Sequence, residues 1–532
     1  MSSGGQDAVA VAGAPRRRLS GWIGGVLLAL VVGAVLLSLI SPVFNPPKWD
    51  ECIVDYDARR VAAGEVPYRD FFNFTPPGVF LWLAPIVGAG GDHPLTRGRY
   101  ASLVLILLSW WLAALLLKRS GWSALTAWLL AALYPVALYA FWPIPSHQWL
   151  ANAFLIGAWA LLCKPGGLGT RGWAAEGLLA GLAAFTLQPQ GVLALLSAGI
   201  LWALEPEARV RKGAAFAAGF SLLWLPFLGA MAWLGGLGAF WRDVVRWPMH
   251  NYSRLGNENA HFPFQDVPWR LGDLWSHWLQ RPSVGQAVTS LAGFLLYGIL
   301  LAAFAALVAW AFARFAAWLR RHRMGSPWEA AAVAVTFLAL GLLLRGNANW
   351  LHLVFALGPL GLLWLAWMGR EGPSPRARGA VAAAAVVLLA AGAAYALRGW
   401  WFYRPAAWEF TDADRTLRES PINRYLRAPG VLHPGDTLVA LPEGGEVYLY
   451  TAPAAIGYTY FQPLDRHYND LRDHEIAAAQ MTKERPRFVL MPEALEKDYL
   501  DPRSPVAALL RREYVRAGEV GSAVLYQRRE GP

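Results

Sequence analysis

Long apolar runs separated by short polar, arginine-rich stretches dominate the chain. They fall near 21–41, 99–117, 123–141, 149–163, 173–187, 191–204, 214–240, 286–312, 328–344, 351–368 and 379–397. About 20 apolar residues cross a hydrocarbon core about 30 Å thick. Each run therefore predicts a membrane helix, about eleven in all. Those between 149 and 204 are short for that thickness and predict tilted pairs or re-entrant segments. The first run, "GWIGGVLLALVVGAVLLSLI" from Gly21, follows the basic flank "APRRRLS". It is long for a signal-peptide core and lacks a small-x-small cleavage pattern, so it reads as a retained anchor.

Charge along the connecting loops sets an expected orientation. With residues 1–20 as a disordered cytoplasmic tail, the short inside segments hold Arg16–Arg18, Lys118 and Arg119, Lys164 and Arg171, and Arg209, Arg211 and Lys212. Further on they hold Arg314, Arg320, Arg321 and Arg323, then Arg370, Arg376 and Arg378. The short outside loops, "WPIPSHQ", "QPQ" and "RGNANW", carry one basic residue, Arg345. This is the positive-inside asymmetry, and reading "QPQ" as a hairpin turn preserves it. The expectation is a transmembrane domain over 21–397 in the cytoplasmic membrane, with outer loops at 42–98 and 241–285. A C-terminal extracytoplasmic domain follows over 398–532.

Composition adds little beyond this. The 532 residues are 56% hydrophobic and 16% charged, with a net charge of +11. That basic balance sits in the loops, with no Gly-rich phosphate loop, zinc-finger spacing or basic helix, so nucleic acid is not expected as a partner. The two cysteines, Cys52 and Cys163, make no disulfide framework. The 28 Trp read as belts at the membrane–water boundaries. In the C-terminal region "DTLVAL", "VYLYT", "RFVLM" and "SAVLYQ" predict short strands and "LRDHEIAAAQMTKE" a helix, together a small α/β domain.

The chemistry concentrates after the first run, in "NPPKWDECIVDYDARR" from Asn45. Asp55 with Arg59, and Tyr56 with Arg60, are spaced to share a helix face. Ile53, Val54, Ala58, Val61 and Ala62 supply an apolar side, which predicts an amphipathic helix lying in the interface. Asp55, Asp57 and Glu65 are then expected to be solvated or paired. Asp50 and Glu51 open the helix. They either complement its dipole or act as a base on a hydroxyl or amine acceptor at the membrane surface.

The stretch "WDECIVDYDARRVAAGEVPYRDFFNFTPPGVFLWLAPIVGAGGD" resembles the first outer loop of the GT-C superfamily of multi-spanning glycosyltransferases. These use polyprenyl-phosphate sugars, and the stretch is similar to that of the protein O-mannosyltransferases and the aminoarabinose transferase of lipid A. The shared elements are Asp50-Glu51, Ala58, Gly64, "PYRDFF" from Pro67 and "PPG" from Pro76. The likeness runs on more weakly through Gly177–Gly191, Arg345–Leu360 and the C-terminal domain.

The resemblance implies a GT-C bundle and a polyprenyl-phosphate sugar donor. It also implies a protein, lipid or glycan acceptor at the outer face of the membrane. Asp50 matches the catalytic acidic residue, and Glu51 is its neighbour, orienting acceptor or sugar. Asp70 matches a recurrent acidic position, with Tyr68 and Arg69 beside it, though a turn or cap role is equally open to it. A lysine common in the family is missing, since the chain has Leu187 and Gln188 there. The donor phosphate must find other cations. Candidates are Arg345 and His352, Arg246 and Arg254 in the second outer loop, and His147 beside Gln148. A single displacement inverts the anomeric centre and requires no cofactor, while an Asp-Glu pair leaves room for a divalent cation. Two alternatives are a polysaccharide ligase or polymerase of similar build and a lipid-linked sugar transporter. Nearly uncharged spans count against the transporter.

Overall fold

The protein is described by a computed structural model over residues 32–36, 49–89, 91–204, 208–252, 266–280, 283–321, 326–345, 350–372, 374–397, 413–441, 444–458, 471–493, 496 and 502–529. Among the described residues seven helices are long and apolar enough to cross a membrane: Pro94–Arg119, Ala124–Phe141, Arg209–Trp233, Val284–Arg320, Pro327–Leu344, Leu351–Glu371 and Arg376–Ala396. The chain is a multi-pass membrane protein. Of the first expected span, only 32–36 lies within the described residues, and it is helical.

Helix α1 is Trp49–Ala62, α2 Gly78–Val87 and α3 Pro94–Arg119. Helix α4, Ala124–Ala131, continues through a π turn at Tyr134–Leu138 and a short 3-10 turn to Phe141. Three short helices follow: His147–Leu162 (α5), Thr170–Thr186 (α6) and Gln188–Ala203 (α7), of 16, 17 and 16 residues. At about 1.5 Å per residue each falls short of the hydrocarbon core, as the sequence predicts for 149–204. Helices α6 and α7 meet at Leu187, so the break falls one residue before "QPQ", which forms the first turn of α7. Then come α8 Arg209–Trp233, α9 Leu237–Phe240, π turns at Trp241–Arg246 and Pro248–Tyr252, and α10 Asp266–Gln280. The last spans are α11 Val284–Arg321, α12 Pro327–Arg345, α13 Trp350–Glu371 and α14 Pro375–Ala396.

Small residues set the tightest seam. A Cβ on Gly177 would lie 2.0 Å from the Phe216 carbonyl oxygen, and one on Gly219 1.9 Å from that of Ala174. Helices α6 and α8 thus touch backbone to backbone, as small residues permit in lipid. The spans are less free of charge than the sequence suggests. Glu176 is wholly buried in α6 with neither carboxyl oxygen hydrogen-bonded, and buried Glu329 of α12 pairs with Arg314 of α11.

Helices α6 and α8 run parallel, Gly177, Gly181 and Phe185 meeting Phe216, Phe220 and Trp224 in turn, and the functional loops gather at one end of the bundle. There Gln188, opening α7, donates to the carbonyls of Phe74 and Val244 (3.3 and 2.9 Å). The position where the family pattern expects a lysine instead ties two loops together. At the opposite end the Trp122 indole donates to the Leu365 carbonyl, and Arg378 and Arg370 lie over the rings of Trp122 and Trp328.

The C-terminal region is a small α/β unit: α15 Ala413–Arg418, α16 Pro421–Leu426, β1 Leu438–Ala440, α17 Gly445–Tyr448, α18 Leu471–Glu484, β2 Phe488–Pro492, α19 Pro505–Glu513, β3 Tyr514–Val520 and β4 Ala523–Arg528. The strand order is β1-β2-β4-β3, with β1 and β2 parallel and the other pairs antiparallel. Expected strands at 438–440, 488–492 and 523–528 and the helix at 471–484 are present. "VYLYT" is not a strand. Gly445 presses on α1 so closely that a Cβ would lie 2.6 Å from the Ile53 nitrogen, and the chain turns helically there. Strand β3 is missed by pattern because its middle is polar and exposed.

The amphipathic interface helix needs correction. Residues 51–58 of α1 are all buried. The helix lies between α2, α3 and the C-terminal unit, and no face is left for lipid or water along that stretch. Tyr56 stacks on Tyr448 at 5.1 Å and accepts from the Ala454 amide at 2.9 Å, while Arg59 donates to the Leu449 carbonyl at 2.7 Å. The C-terminal unit covers what the helix pattern alone assigns to solvent.

Candidate active site

The two opening carboxylates of α1 have different surroundings. Glu51 is fully buried and held by Arg99 of α3 in a two-point ion pair, Nε to Oε2 at 2.9 Å and NH2 to Oε1 at 2.5 Å. Such a fork fixes the carboxylate in place and balances its charge. Asp50 is partly open and has no hydrogen bond or ion pair among the described residues. Burial, and then the charge of Glu51, push its carboxyl from 3.8 up to about 7. A carboxylate poised near neutrality, free of partners and beside a rigid neighbour has the properties of a general base.

Arg99 is a functional residue the sequence reading passes over. Its signal is plain in hindsight: an arginine one turn into an apolar membrane helix demands a partner. Close by, the Tyr139 hydroxyl lies within electrostatic reach of Arg99 and Glu51 and is buried without a hydrogen bond. Asp55, one turn after Glu51, is also buried. It is neither solvated nor paired, contrary to expectation: both oxygens lack a hydrogen bond, and they crowd Gly98 of α3. Burial, with Glu51 and Asp414 adding to it, pushes its carboxyl well above the usual range. Asp57 accepts from Asn73 at 3.0 Å and Glu65 pairs with Arg60 at 2.6 Å, as expected.

The other candidates separate into groups. His147, opening α5, and His352, in the first turn of α13, are brought within electrostatic reach of each other at the loop-bearing end of the bundle. Both are partly open. Tyr68 is a packing group. Its backbone is left-handed (φ 70°), its hydroxyl donates to the Thr75 carbonyl at 2.8 Å, and its ring meets Phe240 edge-on. Asp70 and Arg69 bond each other at 2.8 Å, and Asp70 also accepts from the Val66 amide at 2.7 Å. This is the turn role, and the hydrogen bond from Arg69 holds the Asp70 carboxyl below its ordinary value. Arg246 is exposed on the π turn. Arg254 lies outside the described residues, as does the side chain of Arg345. Among the described residues no group of three or more His, Cys, Asp or Glu is placed to hold a metal ion.

No protein-family model matches the sequence, and no curated protein matches it significantly. Solved structures do. The chain superposes on ArnT from Cupriavidus metallidurans bound to undecaprenyl phosphate with a TM-score of 0.55. The match has 12% identity and spans 95% of this chain and 98% of that one. The apo state of the same ArnT gives a TM-score of 0.53 at 12% identity over 96% and 98% of the two chains. The chain has the GT-C fold. At such identity the likeness speaks for architecture, both the helical bundle and the C-terminal unit being included in the overlap. In this chain α1 follows the expected first span, and the Asp50-Glu51 pair lies in its first turn at the end where the loops gather.

Proposed function

We propose that the protein is a membrane glycosyltransferase that moves a sugar from a polyprenyl-phosphate donor to a hydroxyl or amine acceptor. One observation carries this: the Asp50 carboxylate, with no hydrogen bond or ion pair among the described residues, stands beside a Glu51 locked by Arg99 at the loop-bearing end of a GT-C bundle. ArnT of the same fold binds undecaprenyl phosphate, which supports a carrier of that class here. The positive-inside pattern supports placing this end at the outer face of the cytoplasmic membrane.

In the proposed reaction Asp50 accepts the acceptor proton. The acceptor oxygen or nitrogen bonds to the anomeric carbon, and the bond from that carbon to the phosphate oxygen breaks with its electron pair. The lipid phosphate leaves as an anion and needs no acid. One displacement inverts the centre. His147 and His352 hold the phosphate, with Arg246 as an approach charge and Arg254 and Arg345 as further candidates. Glu51, gripped by Arg99, keeps Asp50 basic enough to take a proton through its charge. The scheme requires no metal, so transfer is expected to survive chelation.

The deciding experiment is label transfer in membranes from a panel of polyprenyl-phosphate sugars, with wild type and Asp50→Asn at matched expression. Transfer that disappears in the variant supports the reading. Equal transfer by both moves the base elsewhere. No transfer by the wild type from any donor removes the proposed activity.

A further inference from the structure

Helix α3 begins badly by its own means. Its N-cap residue, His93, makes no side-chain cap, and Pro94 follows at the first position. The free amides of Leu95 and Thr96 would then face the interior unsatisfied. They are bonded instead by Asp414, which lies more than three hundred residues later in α15 of the C-terminal unit. Oδ1 accepts from the Leu95 amide at 3.1 Å, and Oδ2 from the Thr96 amide at 3.0 Å and the Thr96 hydroxyl at 2.6 Å. The Tyr450 hydroxyl donates to Oδ1 at 2.6 Å. Asp414 is fully buried. A carboxylate on the end of a helix dipole is a strong cap, and this one is supplied by another unit of the fold.

What that cap holds is the first two turns of α3. Leu95 and Thr96 carry the bonds to Asp414, Gly98 lies against Asp55, and Arg99 grips Glu51. Arg99 is one turn beyond Leu95. On α1 the matching residues, Glu51 and Asp55, are also one turn apart, so the two helices meet along a single seam. The helix end fixed by Asp414 is the end that aims Arg99.

Resting on the glycosyltransferase reading, we infer that Asp414 is a positioning residue: it ties the C-terminal unit to the Arg99–Glu51 pair and so sets the geometry of Asp50. The C-terminal unit is then part of the catalytic apparatus, acting through the end of a membrane helix. The charged and titratable groups around Asp414 are Tyr450 and Asp55, with His93 at 3.9 Å. Asp50 feels Glu51.

The test compares wild type, Asp414→Asn and Asp414→Glu in label transfer across pH, with the donor that the wild type uses. An amide keeps the size but cannot accept both backbone bonds, so α3 is released and Glu51 is less well balanced. The expected result for Asp414→Asn is a kcat lower by about 10- to 100-fold with little change in donor KM. The acid limb of its rate profile moves upward by about half a pH unit. Asp414→Glu, which restores a carboxylate, is expected to recover much of the rate.

A second readout needs no activity. Cys52 is buried where α1 meets the C-terminal unit. In a Cys163→Ala background its labelling by a maleimide is expected to be slow in wild type and faster in Asp414→Asn. Transfer and acid limb unchanged in Asp414→Asn, while wild type transfers, overturns this inference alone. A lower kcat with an unmoved acid limb and unchanged Cys52 labelling also overturns it. Absence of wild-type transfer from every donor overturns the parent reading and this inference together.

Discussion

Replacing Asp50 by asparagine should remove activity and, in alkaline conditions, make the protein more stable. The folded carboxyl titrates at about 7, against 3.8 for an unburied one. Between those values the folded state keeps a proton that the unfolded chain has lost, so stability falls as pH rises and levels off above about 7. At about 1.36 kcal/mol per pH unit the cap on this cost is about 4 kcal/mol. Asp50 is partly open to water, which screens it, so about 1–2 kcal/mol is the realistic share. The asparagine side chain carries no charge and escapes the cost. Heat inactivation half-lives of purified protein in nanodiscs should therefore be longer for Asp50→Asn than for wild type near pH 8, with the gap narrowing near pH 5. Transfer should fall by about 10²–10⁴-fold, the usual worth of a general base. A variant less stable than wild type at both pH values would refute the reasoning, because Asp50 would then be held by favourable contacts and not by burial.

Further expectations follow from neighbouring contacts. Arg99→Met leaves Glu51 buried without its partner and should cost about 3–5 kcal/mol, most of which the double change Arg99→Met/Glu51→Gln recovers in thermal unfolding. Gly98→Ala places a Cβ 2.8 Å from Asp55 Oδ1 and should destabilise by about 1–3 kcal/mol, with partial rescue by Asp55→Ala. Tyr68→Phe loses one buried hydrogen bond and should lower stability by about 1 kcal/mol while leaving donor KM unchanged; a raised KM would return Tyr68 to the substrate. His147→Ala and His352→Ala should each raise donor KM by about 10-fold, read by the same transfer assay.

Much of the architecture is legible in local patterns, because lipid forces long apolar runs and leaves charge for the loops. The short helices between His147 and Ala203 follow from that logic. What escapes is contact across distance. The burial of α1 depends on Tyr448 and Leu449, nearly four hundred residues away. The partner of Glu51 is the first residue of the run at 99–117, a boundary position that hydropathy does not single out. A four-residue spacing pairs Asp55 with Arg59 on paper. In the fold Arg59 turns to a carbonyl of the C-terminal unit, and Asp55 turns inward to Gly98 with neither carboxyl oxygen hydrogen-bonded among the described residues. "VYLYT" has the β-branched and aromatic content of a strand, and only the close approach of Gly445 to α1 decides against it.

Helix α11 has 38 residues, about 57 Å at about 1.5 Å per residue, nearly twice the thickness of the hydrocarbon layer. Ordinary tilts of about 20° absorb little of that excess. Part of α11 must therefore stand clear of the lipid, with α10 packed alongside it as a short buttress. The overhang makes the molecule sensitive to the depth of the bilayer around it. In a thicker membrane more of the buttress is drawn towards the headgroups, and in a thinner one it is lifted free. Reconstitution in lipids of graded chain length should consequently shift transfer without touching any residue of the site.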